Sequence, residues 1–248
     1  MVYRTTQGLQ GHHVLLLFGV AWLIPYSLIS SEFLRSNVLS NITVAASLSV
    51  NVSVLIMAVL ATQILIGSAF VIGDRRLSWS DLGFRRVHWA WFFVAMGTLV
   101  VIKSCFGPLA GLIADLSSST SAADARAIPA ERAIVTTGIS ILPLMMVGPV
   151  TAIVEEAFFR GVLHSWLRRY FGLFAAACLS ALVFSLVHKT FMNSGGIAGW
   201  VLGAEIFAGG IALALLYEKS GSLWPSIYMH AMNNVMGPLQ RYIHDSVS

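Results

Sequence analysis

The sequence predicts an all-α fold, a polytopic transmembrane bundle of about seven to eight helices. Composition gives the first two observations: 57% of the 248 residues are hydrophobic, and only 10% are charged. A soluble domain carries about 25% charged residues. The third observation is that long apolar stretches alternate with short polar turns, and a membrane helix needs about 20 apolar residues. A soluble globular domain is therefore excluded.

The N-terminal part, residues 1–133, is predicted to contribute the first membrane helices. They are predicted over residues 14–30, 43–72 and 89–113. An interfacial amphipathic segment is predicted near residues 74–88, where arginine pairs flank an apolar and aromatic core. Lys103 falls inside the third helix, where snorkelling or pairing is expected. The polar stretch 114–133 is predicted to be a loop.

The C-terminal part, residues 134–242, is predicted to contribute the remaining helices of the same bundle. They are predicted over residues 134–170, 173–188, 197–217 and 224–242. The first of them is expected to break or bend near Pro143 and Pro149, because proline cannot donate the helical hydrogen bond. Cys105 and Cys178 fall inside apolar spans and are predicted to be small buried hydrophobes rather than a disulfide pair.

The charge pattern favours a lipid bilayer as the partner and excludes nucleic acid. The net charge is +4, and no basic cluster with interleaved aromatic residues is present. The positive-inside rule predicts a cytoplasmic N-terminus. The basic residues then predicted to face the cytoplasm include Arg85, Arg86, Arg168, Arg169 and Lys219.

Three charged residues inside an apolar run mark the candidate site: Glu155, Glu156 and Arg160. An ionisable group at membrane depth costs about 2.5–3.5 kcal/mol even on the milder scale, so a functional use is expected. Glu156 and Arg160 are spaced to pair along a helix, while Glu155 is rotated by about 100° from Glu156. We therefore predict that Arg160 holds Glu156 as scaffold and that Glu155 faces a cavity. An ion pair that only joins helices is the alternative.

His188 is the first candidate partner of this motif. It follows the predicted turn at Gly172 by about as many residues as Glu155 precedes it. In an antiparallel helical hairpin, equal distances from the turn give equal depth. Glu155 and His188 are therefore predicted to lie level, although a lone histidine on an apolar helix is usually a core residue.

The last helix supplies His230 and Asn234, which share one face. An imidazole and an amide can together hold a developing oxyanion. The alternative role for the two side chains is to form polar contacts that hold neighbouring helices together. Asn233 is an alternative partner of His230. Glu205, another carboxylate at membrane depth, could line the cavity or pair with Lys103.

Two chemistries use these side chains. Glu155 and His188 can activate a water molecule as general base, while His230 and Asn234 stabilise the tetrahedral intermediate. Alternatively, Glu155, His188 and His230 are enough to hold a catalytic zinc ion. The H-E-x-x-H helix that would favour zinc is missing, so no cofactor is favoured and zinc stays open.

These motifs resemble, in order, those of the CPBP intramembrane proteases (CAAX proteases and bacteriocin-processing enzymes), also called the Abi or type II CAAX prenyl endopeptidase family. The motifs are Glu155-Glu156-x-x-x-Arg160, Phe184-x-x-x-His188 and His230-x-x-x-Asn234. The segment that begins Asp81-Leu82-Gly83 resembles an element that precedes the family's domain. The resemblance covers about residues 139–237 and makes residues 134–242 the expected catalytic core.

The resemblance implies a glutamate-dependent intramembrane endopeptidase. Glu155 would activate water with help from His188, and Glu156 and Arg160 would support the site. The substrate would be a membrane-anchored protein or peptide, with a role in processing, sorting or bacteriocin immunity. The compact chain and short loops suggest a prokaryotic member in the inner (cell) membrane.

Two other functions stay open. An ion-coupled transporter would use Glu155, Glu156 and Arg160 as a relay. Against it, the sequence shows no paired broken helices in repeated halves. A non-catalytic scaffold or immunity protein would keep the polar cluster for packing alone.

Overall fold

The structure, a computed structural model, describes residue 14 and residues 79–120, 141–188 and 196–247. Within these ranges every regular element is helical and no strand is present, which confirms the all-α prediction for this part of the chain. In chain order the elements are α1 (Ala90–Thr120), α2 (Ile141–Glu156), a π-helix (Ala157–His164), α3 (Ser165–Leu167), α4 (Leu173–Val187), α5 (Gly196–Ser220) and α6 (Trp224–Val247).

Two of these helices are long and apolar enough to cross a membrane. They are Ala90–Leu109 within α1 and Gly199–Ser220 within α5, and α4 is a shorter apolar helix. Apart from Val14, the predicted helices 14–30 and 43–72 lie outside the described residues. The total of seven to eight helices therefore stays a prediction.

The predicted bounds agree well for α4, α5 and α6 and fail at the end of α1. α1 continues to Thr120, so the predicted loop over 114–133 is wrong for residues 114–120, while 121–133 lie outside the described residues. Cys105 and Cys178 are both free thiols, but the prediction that Cys105 is buried is wrong because its face of α1 is exposed.

The break that was expected near Pro143 and Pro149 does not occur within α2, which runs uninterrupted from Ile141 to Glu156. A bend at either proline stays a prediction. The helix changes at Ala157 instead, where eight buried residues adopt π geometry. Such segments concentrate at functional sites, and this one begins directly after Glu156.

The chain divides into two compact units. Among the described residues, the first unit contains 79–120, 156–188 and 196–230, and the second contains residue 14, 141–155 and 231–247. In the first unit, α5 packs against both α1 and α4, and α4 also packs against the π-helix. The predicted division between residues 1–133 and 134–242 stays a prediction.

Small residues bring α4 and α5 close together in the first unit. A Cβ atom on Gly210 would lie 2.8 Å from the Cβ of Ala181. Nearby, the Ser185 hydroxyl donates a hydrogen bond to the Gly203 carbonyl at 2.8 Å. Close backbone approach of this kind is how helices associate where lipid supplies no hydrophobic driving force.

The segment from Trp79 to Arg86 is fixed against the turn between α5 and α6. Gly83 has a φ of +106°, and its carbonyl accepts a hydrogen bond from the Leu223 amide at 2.8 Å. The Ser222 hydroxyl donates to the Arg85 carbonyl at 2.7 Å. Only glycine fits at Gly83, because a Cβ would lie 2.6 Å from the Tyr217 ring in a backbone region that favours glycine.

Replacing Gly161 with alanine is expected to destabilise the protein by about 1–3 kcal/mol, the usual cost of overpacking. The new Cβ would lie 2.7 Å from the Leu82 carbonyl oxygen, which is backbone and cannot rotate away. Gly107→Ala is the matched control, because nothing lies within 4 Å of a Cβ there. Thermal unfolding in detergent measures both, and equal melting temperatures would contradict the packing of Leu82 on the π-helix.

Candidate active site

A fully buried ion pair lies at the start of the π-helix. Neither Glu156 nor Arg160 exposes any side-chain surface, and Arg160 Nη1 donates to Glu156 Oε1 at 2.7 Å. The other terminal nitrogen, Nη2, donates to the Gly210 carbonyl on α5 at 3.1 Å. The predicted pairing of these residues is confirmed, and the pair also joins the π-helix to α5.

His230, from α6, binds the same carboxylate. Its Nδ1 lies 2.8 Å from Glu156 Oε1. A carboxylate oxygen in a pair with arginine is an acceptor with two lone pairs, so Nδ1 carries the proton and Oε1 accepts from both Arg160 and His230. The sequence analysis missed this contact, because it paired His230 with an asparagine on α6, or with Glu155 and His188 as zinc ligands, and never with Glu156.

The Phe184 ring joins these groups to His188. The guanidinium carbon of Arg160 lies 4.5 Å from the ring centroid. The His188 ring lies 4.4 Å from that centroid, and the His230 ring stands edge-on to it at 5.6 Å. Cation–π and aromatic contacts of this kind are directional. One buried phenylalanine therefore helps to set the positions of both imidazoles and of the guanidinium.

His188 follows the last residue of α4, and its tautomer can be assigned from its acceptor. Nδ1 lies 2.7 Å from the Phe184 carbonyl oxygen. A carbonyl can only accept, so Nδ1 is protonated and the lone pair of the neutral ring is on Nε2. This arrangement suits a residue that receives a proton through Nε2.

The two remaining candidates, Glu155 and Asn234, belong to the second unit. Glu155 is partly buried at the end of α2. Asn234 Nδ2 lies 3.4 Å from both the Gly148 carbonyl and the Thr151 hydroxyl, which are long hydrogen bonds. A Cβ on Gly148 would lie 3.1 Å from the Asn234 Cβ, so glycine permits this close packing. Glu155 and His188 belong to different units, so their equal depth stays a prediction.

A second polar cluster, which the sequence analysis did not find, begins at His164, about one helical turn after Arg160. His164 is fully buried, and its Nε2 lies 3.2 Å from Glu218 Oε2. Arg168 Nε donates to the other oxygen of Glu218 at 3.1 Å. The signal for His164 was present, because Glu156, Arg160 and His164 are four residues apart and share one side of a helix.

The open choice for Glu205 is settled by its partner. Lys103 Nζ donates to Glu205 Oε1 at 2.6 Å, which joins α1 to α5. Pairing neutralises both charges at membrane depth. Glu205 is therefore a structural carboxylate of the first unit.

The zinc site that the sequence left open, formed by Glu155, His188 and His230, stays a prediction. Among the described residues, no three histidine, cysteine, aspartate or glutamate side chains form a group that could hold a metal ion. Beside His230, Glu156 Oε1 accepts two hydrogen bonds, and the Arg160 guanidinium would repel a cation.

Chelation is expected to leave peptide cleavage unchanged, because the Arg160 guanidinium holds the carboxylate beside His230 and would repel a cation there. The purified protein would be assayed before and after prolonged treatment with a strong chelator, and its metal content measured. Loss of activity that zinc restores, with close to one equivalent bound, would contradict the expectation.

The comparison with protein families identifies this region. Residues 137–236 match the family described as type II CAAX prenyl endopeptidase Rce1-like. This part of the chain matches the Rce1-like domain. The match includes all six candidate residues and confirms the resemblance to the CPBP family that the motifs indicated. No curated protein and no solved structure shows a significant match to the chain.

The Rce1-like family consists of membrane-embedded proteases. The two membrane-length helices Ala90–Leu109 and Gly199–Ser220 agree with that setting. A protease acts on a peptide or protein, so the general class of substrate follows from the Rce1-like domain as well.

Proposed function

We propose that the protein is an intramembrane endopeptidase that hydrolyses a peptide bond in a membrane-anchored protein or peptide. The observation that carries this proposal is the buried cluster of Glu156, Arg160 and His230 within the Rce1-like segment. Burying charges costs free energy even when they are paired, and an ionisable cluster at membrane depth, here an arginine and a histidine on one carboxylate oxygen, therefore favours a functional site. A prokaryotic inner membrane is the proposed location, and processing, sorting or bacteriocin immunity the proposed role.

Glu155 and His188 are proposed to activate the attacking water. The lone pair on His188 Nε2 and the Glu155 carboxylate can both take part in removing its proton. The water oxygen then bonds to the peptide carbonyl carbon, whose oxygen becomes an oxyanion. The proton passes to the amide nitrogen as the carbon–nitrogen bond breaks, which releases a carboxylic acid and an amine.

His230 and Asn234 are proposed to donate hydrogen bonds to that oxyanion. Because His230 Nδ1 donates to Glu156, the nitrogen that would donate to the oxyanion is Nε2. The contact with Glu156 would orient the ring, which gives Glu156 a supporting role. Loss of one oxyanion donor typically lowers kcat by about 10²–10³-fold.

This role for His230 predicts that His230→Ala lowers kcat by about 10²–10³-fold, the usual loss for one oxyanion donor. The measurement is kcat for peptide cleavage by purified protein, with thermal unfolding measured in parallel. A folded His230→Ala protein with the kcat of the wild type would remove His230 from this role.

Reconstitution separates the proposed enzyme from the two alternatives. The full chain in proteoliposomes is given membrane-anchored peptides, and mass spectrometry records matched N- and C-terminal fragments. Matched fragments support the endopeptidase. A pH-driven ion flux without fragments would favour the transporter, and a host phenotype unaffected by Glu155→Gln would favour the scaffold.

A further inference from the structure

A buried serine on α4 is bonded to the backbone of the π-helix. The Ser180 side chain is buried, and its hydroxyl donates a hydrogen bond to the Phe159 carbonyl oxygen at 3.0 Å. A serine inside a helix commonly points to solvent or bonds the carbonyl four residues earlier in its own helix. The Ser180 hydroxyl instead joins two different segments of the first unit.

The same side of α4 carries two residues of the candidate site. Ser180, Phe184 and His188 follow one another at intervals of four residues, so they lie along one side of the helix. The Phe184 ring contacts the Phe159 ring, with centroids 4.9 Å apart, and it also contacts the His188 ring. The Arg160 guanidinium carbon lies 4.5 Å from its centroid. This side of α4 therefore connects the π-helix backbone with the histidine proposed to activate water.

The ring contacts alone do not fix the position of α4 along the π-helix. Aromatic pairs are favourable over centroid separations of about 4.5–7 Å, so two rings can slide past each other at little cost. A hydrogen bond to a carbonyl weakens steeply outside a narrow range of distance and angle, and a shift of about 1 Å would break it. The Ser180 bond is therefore the contact that resists such a shift.

The carbonyl that Ser180 binds lies at a sensitive place in the π-helix. Phe159 directly precedes Arg160, whose guanidinium donates to Glu156. The Ser165 hydroxyl donates to the Arg160 carbonyl at 3.0 Å. Serine hydroxyls thus bind two successive carbonyls of the π-helix, and only the one from Ser180 comes from another helix. Because π geometry is rare and concentrates at functional sites, contacts that hold it in place matter for the site.

We propose that Ser180 is a positioning residue for the peptide hydrolysis proposed above. Its hydroxyl fixes the position of α4 along the π-helix and thereby the depth of His188. The catalytic consequence rests on the proposed function, because His188 must present Nε2 to the water at a fixed place, whereas the position of α4 does not. A misplacement of about 1 Å can cost about 10²-fold in rate even when the replaced residue is remote from the reacting atoms.

Ser180→Ala is expected to lower kcat by about 10- to 100-fold with little change in KM, because a water-activating group and not the bound substrate is displaced. Ser185→Ala is the matched control. Ser185 is also buried on α4 and also donates to a backbone carbonyl, but that carbonyl belongs to Gly203 on α5. The control should keep the kcat of the wild type. Purified proteins are assayed with a membrane-anchored peptide, and thermal unfolding is measured in parallel.

Hydrogen–deuterium exchange tests the position of α4 without a substrate. The amides of residues 157–164 should exchange several-fold faster in Ser180→Ala than in Ser185→Ala, since only Ser180 is bonded to that segment. If the wild-type protein cleaves no peptide, the proposed peptidase fails, and this exchange alone decides whether Ser180 holds the π-helix.

Equal kcat values for folded Ser180→Ala and Ser185→Ala would overturn the proposal, and so would a loss that appears only in KM. Equal exchange of residues 157–164 in the two variants would also overturn it. Should Ser180→Ala fail to fold, Ser180→Cys and Ser185→Cys replace the pair with the same expectations, because a thiol is close to a hydroxyl in size and donates only weakly.

Discussion

Replacing Glu155 with alanine is expected to lower kcat for peptide cleavage by about 10²–10⁴-fold, the usual contribution of a general base. The variant should fold normally, because Glu155 is only partly buried and does not belong to the fully buried Glu156–Arg160 pair. The assay is cleavage of a membrane-anchored peptide by purified protein, with thermal unfolding measured in parallel.

Glu205→Gln provides the control for the Glu155 experiment. Glu205 is also a carboxylate at membrane depth, but it pairs with Lys103. Its replacement should leave kcat near the wild-type value, even if the lost ion pair lowers stability. Activity like that of the wild type in folded Glu155→Ala protein would remove Glu155 from the proposed mechanism.

Replacing Arg160 with methionine is expected to destabilise the protein by about 3–5 kcal/mol, the cost of leaving one partner of a buried ion pair alone. The change removes the donors to Glu156 Oε1 and to the Gly210 carbonyl. It also removes the cation above the Phe184 ring. Peptide cleavage should be lost as well, because Glu156 and His230 would no longer be held in place.

The double variant Glu156→Gln with Arg160→Met distinguishes an unpaired charge from lost packing. A neutral amide in place of the carboxylate should recover part of the unfolding free energy, while activity stays low. Chemical unfolding in detergent measures both variants. An unfolding free energy of Arg160→Met equal to that of the wild-type protein would contradict the paired, buried state of these two side chains.

The sequence was sufficient for α4, α5 and α6, because the lengths of these helices follow from apolar runs between turns. α4 was predicted to begin at Leu173 and α6 at Trp224, and both do. The Glu156–Arg160 pair was also predictable, because a spacing of four residues places both side chains on one side of a helix.

Contacts between distant helices were not predictable in the same way. His230 and Glu156 are 74 positions apart, and their hydrogen bond depends on the relative depth and rotation of two helices. The π-helix adds a further difficulty, because its extra residue per turn changes the direction of every side chain after Ala157. The partners of His164 and the Arg160 contact with Phe184 required the folded chain for the same reason.

The most direct measurement of the proposed peptidase is a comparison of membrane peptides in the native host. One strain carries the wild-type protein and the other carries Glu155→Ala at equal abundance. The proposal predicts that specific membrane-anchored peptides accumulate uncleaved only in the Glu155→Ala strain and disappear when the wild-type protein is restored. Identical peptide sets in the two strains would contradict it.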